Sequence, residues 1–572
     1  MDIIISWLQQ GLSGIVPFVI MIGLLVFVHE LGHFLVAKYY NVRVEVFSLG
    51  FGKKILQHKK GDTTYCVSLI PLGGYVKMYG DDPTADVPAA EREHAFLLKP
   101  VGQRIAIVLA GPLMNLFFAA FLFMTIAMVG DPVMSNQLGD VAQGSQAYEA
   151  GFRSGDRIVA INGEKKSFWR EVARKISDSP NQELLFRVER SAADSDAPQT
   201  QEVRATPRLV ENENILSTRA KVGQIEGLNI ESLSSLVGLK DPEGPAGQAG
   251  IKIFDMISQI AGQEVGYWRE LEPALRRALD SHAHSESGMM SFHVRAYEVE
   301  KTHPEREVLV DVSELDLERP LLAQLGLEST ELYILRVRRD SPAEQAGLKP
   351  GDKIVSLNQQ EVSEWPHVVK GVSGFNPEEQ EYLGFGVLRQ GERIELQAQP
   401  ELTNLMNAQG QDDRRYTVGI VPAYINVTAP PALFRTRNPI QAASIGAKES
   451  LVMTQMVVMG VIRLIQGEVS TKNIAGVITI GRFASQTFEI GLAAFLKMMA
   501  ILSINLFIIN LLPIPILDGG HLMFFFIEAI KGAPVSLKKM EVAQTVGLLI
   551  LMGLLIFSLF NDITNWFSSA GW

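Results

Sequence analysis

Four apolar stretches constrain the fold of this 572-residue chain more than any other feature of its sequence. They run over about 15–39, 105–129, 492–512 and 542–560, and each is long enough to cross the roughly 30 Å hydrocarbon core of a bilayer. Hydrophobic residues make up 47% of the chain, yet the segment between the second and third stretches has the composition of a soluble protein. The pattern predicts a membrane protein with a large aqueous insert.

The distribution of lysine and arginine predicts how these stretches are oriented. Lysine and arginine gather in the loop after the first stretch, and lysine in the short loop before the fourth, and the positive-inside rule places such loops in the cytoplasm. With four crossings, both termini and the segment from about 131 to 490 then lie on the far side. Asp2 is the only charge before His29, and no cleavage site follows, so we expect a retained membrane segment.

Charge and cysteine content exclude several classes of function. The formal net charge of -11 gives no basic footprint, so nucleic acid is not an expected partner. Cys66 is the only cysteine, which excludes an internal disulfide framework and any zinc cluster built on cysteines. We expect Cys66 to pack as a small core residue.

A pattern recurs three times within the aqueous insert. The copies "EAGFRSGDRIVAINGEKKSFW", "QAGIKIFDMISQIAGQEVGYW" and "QAGLKPGDKIVSLNQQEVSEW" share Gly151, Gly250 and Gly347, which are spaced by 99 and 97 residues. Each copy is followed by a strand-like run, and this period favours a row of small domains. The run A-G-x-x-x-G-D resembles the PDZ domain. The third copy matches best, whereas the second has Phe254 instead of glycine, which puts its ligand groove in question.

The first apolar stretch contains "VFVHELGHFLVAKYY", in which His29 and His33 are four residues apart. On a helix both rings project from one face and can share a metal ion, and Glu30 beside them can take a proton from a water molecule there. The alternative is a pair of core histidines in a helical bundle. Ionisable groups in a membrane span usually mark a functional site, so the sequence favours the metal.

Two histidines and a water leave a catalytic zinc ion one protein ligand short. Soluble zinc proteases with the extended motif would have glycine and histidine where this chain has Val36 and Tyr39. The other polar island is "NLFIINLLPIPILDGGH", where Pro513 and Pro515 interrupt the helix ahead of Asp518. We predict Asp518 as the third ligand; the alternative is an ordinary N-cap of the next helix. Zinc follows from the ligand types, which cobalt and manganese share.

Together these motifs resemble the site-2 protease family of intramembrane zinc metalloproteases in its bacterial form. The resemblance covers both ends of the chain and the repeats, through H-E-x-x-H, "GFG" at 50–52, "PLGGYVKM" at 71–78, "GPLMN" at 111–115 and N-x-x-P-x-P-x-x-D-G at 510–519. The chain departs from the family in its three repeats, where two PDZ domains are usual. It also has Val477 where proline is frequent.

The resemblance implies a multi-domain membrane protein of the bacterial inner membrane. Its four-helix transmembrane metalloprotease core with a re-entrant β-sheet would carry a periplasmic array of PDZ-like α+β domains, with the active site near the cytoplasmic side. His29, His33 and Asp518 would bind one Zn2+ ion, and Glu30 would act as general base and then as proton donor. Substrate binding is implied for Asn510, Gly50, Phe51, Gly52, Gly73 and Gly74, with helix packing as the alternative for Asn510; further candidates are Asn115, Asn505 and His521.

The expected segments follow from these assignments. They are the first transmembrane helix at 1–40, the cytoplasmic or re-entrant β region at 41–103, the second helix at 104–130, PDZ-like repeats at 131–222, 223–325 and 326–430, an amphipathic linker at 431–490, the third helix at 491–513, the L-D-G motif and cytoplasmic loop at 514–540, and the fourth helix at 541–561. We expect the helix at about 439–465 to lie on the membrane surface, or alternatively to be a docking helix.

The implied function is the cleavage of transmembrane segments of single-pass membrane proteins. Expected substrates are an anti-sigma factor in an envelope stress response and remnant signal peptides, while the PDZ domains bind peptide C-termini and restrict access. The alternative is a non-enzymatic PDZ membrane scaffold with a structural metal site, although such a site needs no base like Glu30. A metal transporter would instead carry ligands through several spans.

Peptide-bond cleavage inside a bilayer also requires that the substrate helix is unwound and its amides are given new partners. "RVEVFSLGFG" and "YCVSLIPLGGYVKM" alternate like strands. We expect them to form a re-entrant sheet whose edge pairs with the substrate by strand addition. Proline within 44–48 should then abolish cleavage while zinc stays bound.

Overall fold

The computed structural model describes residues 2–82, 86–190, 198–212, 214, 216–217, 219–282, 288–298, 301–406, 412–471 and 474–569. The chain forms two compact units. A helical unit contains the chain up to Pro132, a short piece at 214–218 and Leu433–Ser569, and a repeat unit contains most of the chain between Val133 and Ala432.

The N-terminal part of the helical unit consists of two long helices and a sheet. In chain order its elements are α1 (Asp2–Tyr39), β1 (Val44–Lys60), β2 (Thr63–Met78), α2 (Val101–Val129) and the short β3 (Asp131–Val133), with 3-10 helices at Ala89–His94 and Phe96–Leu98. The first two apolar stretches are therefore helices, and the two alternating stretches between them are strands.

The strands β1 and β2 bend, so that two strands supply four segments of one antiparallel sheet. Residues 44–49 pair with 74–78 on one side and with 64–67 on the other, while 54–60 pair with 63–68. The segment 44–49, where proline was expected to act on an edge, is therefore interior, and the edges are 54–60 and 74–78. Alternation of apolar residues cannot separate an interior segment from an edge, because both alternate.

The repeat unit contains three copies of one α+β arrangement. The first has α3 (Gln146–Ala150), β4 (Arg157–Ile161), β5 (Glu164–Lys165), α4 (Trp169–Ser177), β6 (Leu184–Arg190), β7 (Gln199–Ala205), β8 (Arg208–Glu211) and β9 (Lys221–Gln224). The second has β10 (Glu231–Leu233), β11 (Val237–Leu239), α5 (Pro245–Gln248), β12 (Asp255–Ile260), β13 (Gln263–Glu264), α6 (Trp268–His282), β14 (Met289–Glu298), β15 (Lys301–Thr302), β16 (Arg306–Asp311), α7 (Leu321–Gln324) and β17 (Leu327–Ser329).

The third repeat and the strands after it complete this unit. They are β18 (Ile334–Val337), α8 (Pro342–Gln345), β19 (Lys353–Leu357), β20 (Gln360–Glu361), α9 (Trp365–Ser373), β21 (Leu383–Arg389), β22 (Glu392–Ala398), β23 (Glu401–Met406), β24 (Asp412–Thr417), β25 (Ile420–Pro422) and β26 (Asn426–Thr428). The next strand, β27 (Ala432–Phe434), begins at the last residue of this unit and continues into the helical unit. The strand-like runs predicted after each motif are β6, β14 and β21. The first and third repeats share the sheet orders β5-β4-β6-β7 and β20-β19-β21-β22.

The same ion pair holds each repeat together. The aspartate of the recurring motif is at most 1% exposed, and it accepts the backbone N–H three residues earlier. An arginine pairs with this carboxylate and also donates to the carbonyl of the motif's first glycine. The three sets are Asp156 with Arg190 and Gly151, Asp255 with Arg306 and Gly250, and Asp352 with Arg389 and Gly347. The motif recurs because its glycine and its aspartate form this arrangement.

The repeats end a few residues later than the predicted boundaries. Ile225 belongs to the core of the first repeat and Leu327 to that of the second, whereas the predicted repeats end at 222 and 325. The reason is that the last segment of each repeat forms a backbone hydrogen bond with the first helix of the same repeat. The backbone N–H of Ala147, Ala246 and Ala343 donates to the carbonyl of Glu226, Leu325 and Val418, respectively, at 2.9, 3.1 and 2.9 Å.

The second and third repeats share a small cluster around Tyr333, in which Leu236 and Ala423 are also buried. Phe254 packs edge-on against Tyr333, with ring centroids 6.4 Å apart, and adopts a φ of +67° that non-glycine residues rarely take. The Tyr333 hydroxyl donates to Glu328 over 2.6 Å, and burial together with this carboxylate raises the pKa of Tyr333. The residue that departs from the motif therefore helps to join two repeats.

The C-terminal part of the helical unit contains α10 (Pro439–Gln466), α11 (Val477–Ile490), α12 (Leu492–Leu511), α13 (Asp518–Lys531) and α14 (Leu537–Ser569). Among the described residues, five helices are long and apolar enough to cross a membrane, namely α1, α2, α10, α12 and α14. Four of them contain the predicted stretches, and the fifth is the helix expected to be amphipathic. Helices α1, α2 and α12 share one apolar core, which includes Met21, Leu25, Ala119 and Met499.

Candidate active site

Helix α1 places His29 and His33 one turn apart on the same face, with their Nε2 atoms 3.3 Å apart. His33 is 7% exposed, and its Nδ1 lies 2.9 Å from the carbonyl oxygen of Ile107 on α2. A carbonyl oxygen only accepts, so Nδ1 carries the proton and donates it, which leaves the Nε2 lone pair free. His33 is therefore held in the tautomer that a metal ligand requires.

Asp518 is the first residue of α13, after the break made by the two prolines. Its Oδ2 lies 3.1 Å from His29 Nε2 and 3.5 Å from His33 Nε2. With bonds of roughly 2.0–2.1 Å, the ligand atoms of a tetrahedral zinc ion lie about 3.3 Å apart, so this triangle has the size that zinc requires. Among the described residues, these three side chains bring their ligand atoms within 4.8 Å of one another, which is close enough to hold a metal ion. The N-cap alternative is wrong, because Leu517 occupies that position.

Glu30 lies on a cavity of about 630 Å³, which it lines together with His29, His33 and Asp518. The backbone N–H of Val76 faces the Glu30 carboxylate. The sheet edge at 74–78 therefore forms one wall of this cavity, and the first turns of α14 contribute to another. A carboxylate beside the metal ligands and a strand edge face the same space.

Helix α2 approaches α1 closely at the metal ligands. A Cβ atom on Gly32 would lie 2.3 Å from a carbonyl oxygen of α2, and one on Gly111 would lie 2.2 Å from Nε2 of His33. Any side chain at either position would force the helices apart or displace the ring. One turn after Gly111, Asn115 contacts His29. The motif "GPLMN" thus matches the spacing of the two histidines across the helix interface.

Helix α13 is fixed to α2 near the end opposite Asp518. Arg104 donates to Glu528 in a bidentate pair, with distances of 3.0 and 2.6 Å, and its guanidinium lies 4.8 Å from the centre of the Phe525 ring. The exposed fractions of the Arg104 and Glu528 side chains are 8% and 15%, so water screens the pair little. Bidentate geometry restricts orientation as well as distance. The pair therefore helps to hold Asp518 opposite the histidines.

Gly74 and His521, both sequence candidates, line the cavity. A Cβ atom on Gly74 would lie 3.2 Å from Cγ of Glu30, so the strand backbone contacts the proposed base. The ring of Phe51 covers Gly73 and stacks on Tyr75, with centroids 6.2 Å apart. The side chain of Phe51 in the "GFG" segment therefore packs against the strand that forms the sheet edge at 74–78.

Two other groups of candidates take no part in the lining of the cavity around Glu30, as far as the structure describes the chain. Gly50 and Gly52 flank Phe51 in the turn, with φ values of +88° and +85°. Asn505 and Asn510 are partly buried on α12.

The third repeat has an open groove of about 170 Å³ between α9 and the segment that ends at Ile420. Val368, Val369 and Val372 of α9 form its apolar side. Val369 is 38% exposed, so the groove floor is accessible to a ligand.

The equivalent groove of the second repeat is filled by its own helix α7. Leu321 and Leu322 are 0% and 7% exposed and pack with Leu275 of α6. The Glu272 carboxylate accepts the backbone N–H groups of Leu321 and Leu322 over 2.8 and 3.0 Å. Counted from Trp268 and Trp365, Glu272 takes the position that Val369 has in the third repeat.

Several contacts of the site escaped the sequence analysis. The carbonyl of Ile107 and the N–H of Val76 are backbone groups, which carry no side-chain signal. The pair Arg104 and Glu528 could have been noticed as opposite charges near the ends of two apolar segments, but nothing in the sequence links them.

Comparisons with known proteins were made for the whole chain. The model of Peptidase family M50 matches residues 17–554. The chain is similar to "Regulator of sigma-E protease RseP" of Escherichia coli (strain K12), with 30% identity over 97% of this chain and 99% of the relative. It is also similar to a "Putative zinc metalloprotease" of Vibrio cholerae, with 29% identity over the same shares. A solved PDZ domain protein from Parabacteroides distasonis covers 52% of this chain and 98% of its own length at 9% identity, but its TM-score of 0.14 carries no argument.

Proposed function

The chain belongs to peptidase family M50, and we propose that it is an intramembrane zinc endopeptidase that cuts the transmembrane segments of single-pass membrane proteins. It is a metalloendopeptidase with several helices apolar enough to cross a membrane. The observation that carries the proposal is the triangle of His29, His33 and Asp518, with Glu30 beside it, inside a bundle of apolar helices.

The proposed mechanism uses one zinc ion per chain, held by His29, His33 and Asp518. Zinc, when bound, polarises the scissile carbonyl and lowers the pKa of the attacking water. Glu30 takes a proton from that water and then delivers it to the leaving amine. The N–H of Val76 holds the Glu30 carboxylate toward the cavity during both transfers.

The test is cleavage of a single-span substrate in proteoliposomes by the unsubstituted protein and by Glu30→Gln. Loss of a general base should lower the cleavage rate by about 100- to 10,000-fold while zinc content stays unchanged. Glu489→Gln is the matched control, because Glu489 is exposed on α11. Equal rates for Glu30→Gln and the unsubstituted protein would refute the catalytic role and favour the scaffold alternative.

The proposed substrate is a membrane-anchored anti-sigma factor, because the Escherichia coli relative, "Regulator of sigma-E protease RseP", is named as a protease that regulates sigma-E. Remnant signal peptides are a second proposed class. We expect the repeats to delay the cutting of intact substrates and the third repeat to bind peptide C-termini in its groove. A substrate trimmed on the far side should then be cut faster than its intact form, and equal rates would contradict this role.

The sheet edge at 74–78 is the proposed partner of the unwound substrate. The N–H of Tyr79, just after β2, donates to the carbonyl of Arg43, whereas that of Val76 on the strand edge faces Glu30. This edge therefore presents a backbone N–H group to the cavity. A substrate strand added here would lie beside the metal ligands, with its amides paired.

Val76→Pro tests this pairing, because it removes an N–H that faces the cavity and leaves the neighbouring sheet bonds in place. We expect loss of cleavage with zinc retained. Val76→Ala is the matched control, since it keeps the N–H and shortens the side chain. Cleavage by Val76→Pro at the unsubstituted rate would rule out strand addition at this edge.

We propose four membrane crossings, with α10 lying along the membrane surface. Just before α10, the N–H of Thr436 donates to Ala127 at the end of α2 over 2.9 Å. After α10, Gly476 donates to Asp562 near the end of α14, and Gly481 of α11 lies near Phe18, where the apolar stretch of α1 begins. These three helix ends lie at one end of the bundle, so both flanks of α10 do as well.

Labelling of single cysteines in a Cys66→Ala background tests this topology. An impermeant maleimide should reach cysteines at positions 438 and 466 from the same side, and one at position 538 from the other side. Labelling of positions 438 and 466 from opposite sides would make α10 a fifth crossing.

A further inference from the structure

Asn115 is fully buried at the interface of α1 and α2, and its side chain contacts a metal ligand. Its Nδ2 lies 3.1 Å from Nδ1 of His29, while its Oδ1 is buried without a hydrogen-bond partner among the described residues. Its backbone carbonyl accepts from the hydroxyl of Ser503 on α12 over 2.7 Å. Residues of three helices therefore meet at Asn115, and its side-chain amide contacts the ring of His29.

The two histidine ligands differ in the partner of their Nδ1 atoms. His33 faces the carbonyl of Ile107, which only accepts and so fixes one tautomer. His29 faces an amide, which donates through Nδ2 or accepts through Oδ1 after a half-turn about its terminal bond. Only His29 has a partner that suits either tautomer.

The two tautomers of His29 correspond to two states of the centre. Without a metal, a proton on Nε2 can be donated to Asp518, which lies 3.1 Å away, and Nδ1 then accepts from Nδ2 of Asn115. With a metal, Nε2 must offer its lone pair, so the proton sits on Nδ1 and requires an acceptor. The unpaired Oδ1 of Asn115 is the group that can provide one.

We propose that Asn115 is a positioning residue that supports metal loading by turning its amide to accept the Nδ1 proton of His29. This inference rests on the proposed zinc peptidase, and it concerns the occupancy of the centre before any substrate binds. Since such partners usually contribute 10- to 100-fold to metal affinity, that is the expected size of the effect.

The test measures zinc affinity of the full-length protein in detergent by competition with a chelator, without any substrate. Asn115→Leu has a similar shape but no acceptor, and it should bind zinc about 10- to 100-fold more weakly. Asn115→Asp always presents an acceptor, so it should bind zinc at least as tightly as the unsubstituted protein. The absorption spectrum of the cobalt form should shift in Asn115→Leu and not in the control.

Ser503→Ala is the matched control, because it removes a buried hydrogen bond to the backbone of Asn115 without changing the amide. It should lower the unfolding temperature and leave zinc affinity unchanged. Zinc affinity of Asn115→Leu within twofold of the unsubstituted protein would overturn the inference, and so would equal weakening in Asn115→Leu and Asn115→Asp. Neither result bears on Glu30, whose role is tested by cleavage.

Discussion

The second and third repeats share one fold but differ in what their grooves can do. Each buries an aspartate that pairs with an arginine and accepts the backbone N–H of the residue three positions earlier. The third leaves its groove open beside Val369, whereas the second fills it with α7, whose N–H groups are bonded to Glu272. The ion pair therefore specifies the fold, and single residues on one helix face decide whether a groove is available.

The largest expected effect concerns what the two repeats have in common. Arg389→Met leaves Asp352 buried without its charged partner, which should destabilise the third repeat by about 3 kcal/mol. Arg306→Met should cost less in the second repeat, because the Arg306 side chain is 38% exposed, against 26% for Arg389. Hydrogen exchange of each repeat in the full-length protein measures both losses.

Arg339→Met is the matched control, since Arg339 is an exposed arginine of the same repeat. Its exchange rates should stay at those of the unsubstituted protein. If Arg389→Met left the amides of the third repeat equally protected, the ion pair would not contribute to the stability of that repeat.

The next effect concerns the residue that closes the second groove. Glu272→Ala removes a charged acceptor from two backbone N–H groups and should free α7 at a cost of about 2 kcal/mol. Faster exchange of the Leu321 and Leu322 amides would report this opening. Glu314→Ala, at an exposed position of the same repeat, should leave these amides protected. Unchanged exchange in Glu272→Ala would mean that packing of the two leucines alone keeps the groove closed.

A reciprocal change should close the third groove. Val369→Glu places a carboxylate where a peptide chain end would bind and should weaken binding of a fluorescent pool of random C-terminal peptides by about tenfold, or roughly 1.4 kcal/mol. Val369→Thr keeps the size of the side chain and should bind normally. Equal binding by Val369→Glu would show that peptides use another surface of the repeat.

Sequence patterns predicted the membrane stretches, the repeats and a group of candidate ligands, because each depends on residue type at short spacing. The helix break at Pro513 and Pro515, and the placement of Asp518 after it beside the two histidines, are examples. What the sequence could not reveal depends on pairing between distant segments. The interior position of 44–49 follows from strand order, and the closed second groove follows from α7 folding back on α6.

Phe254, which stands where the other repeats have glycine, distinguishes the second repeat as the sequence indicates, but it acts at the contact with the third repeat and not in the groove. The sequence suggested a damaged groove, and that groove is indeed occupied, but by α7. Phe254 instead contacts Tyr333 at the joint with the third repeat. A motif position indicates the local backbone conformation. It does not indicate which distant residue a side chain at that position will contact.

The smallest expected effect tests this joint. Phe254→Asn should relieve about 1 kcal/mol of strain at a φ of +67°, because asparagine tolerates this conformation, and should lose a similar or slightly larger contribution from the ring contact with Tyr333. The net change in unfolding free energy should therefore stay below about 1 kcal/mol. Faster hydrogen exchange should appear around Tyr333, while the Leu321 and Leu322 amides stay protected. Faster exchange of the Leu321 and Leu322 amides in this variant would instead show that Phe254 helps to keep α7 in the groove. Phe254 and the closed groove, the two features that distinguish the second repeat, would then have one cause.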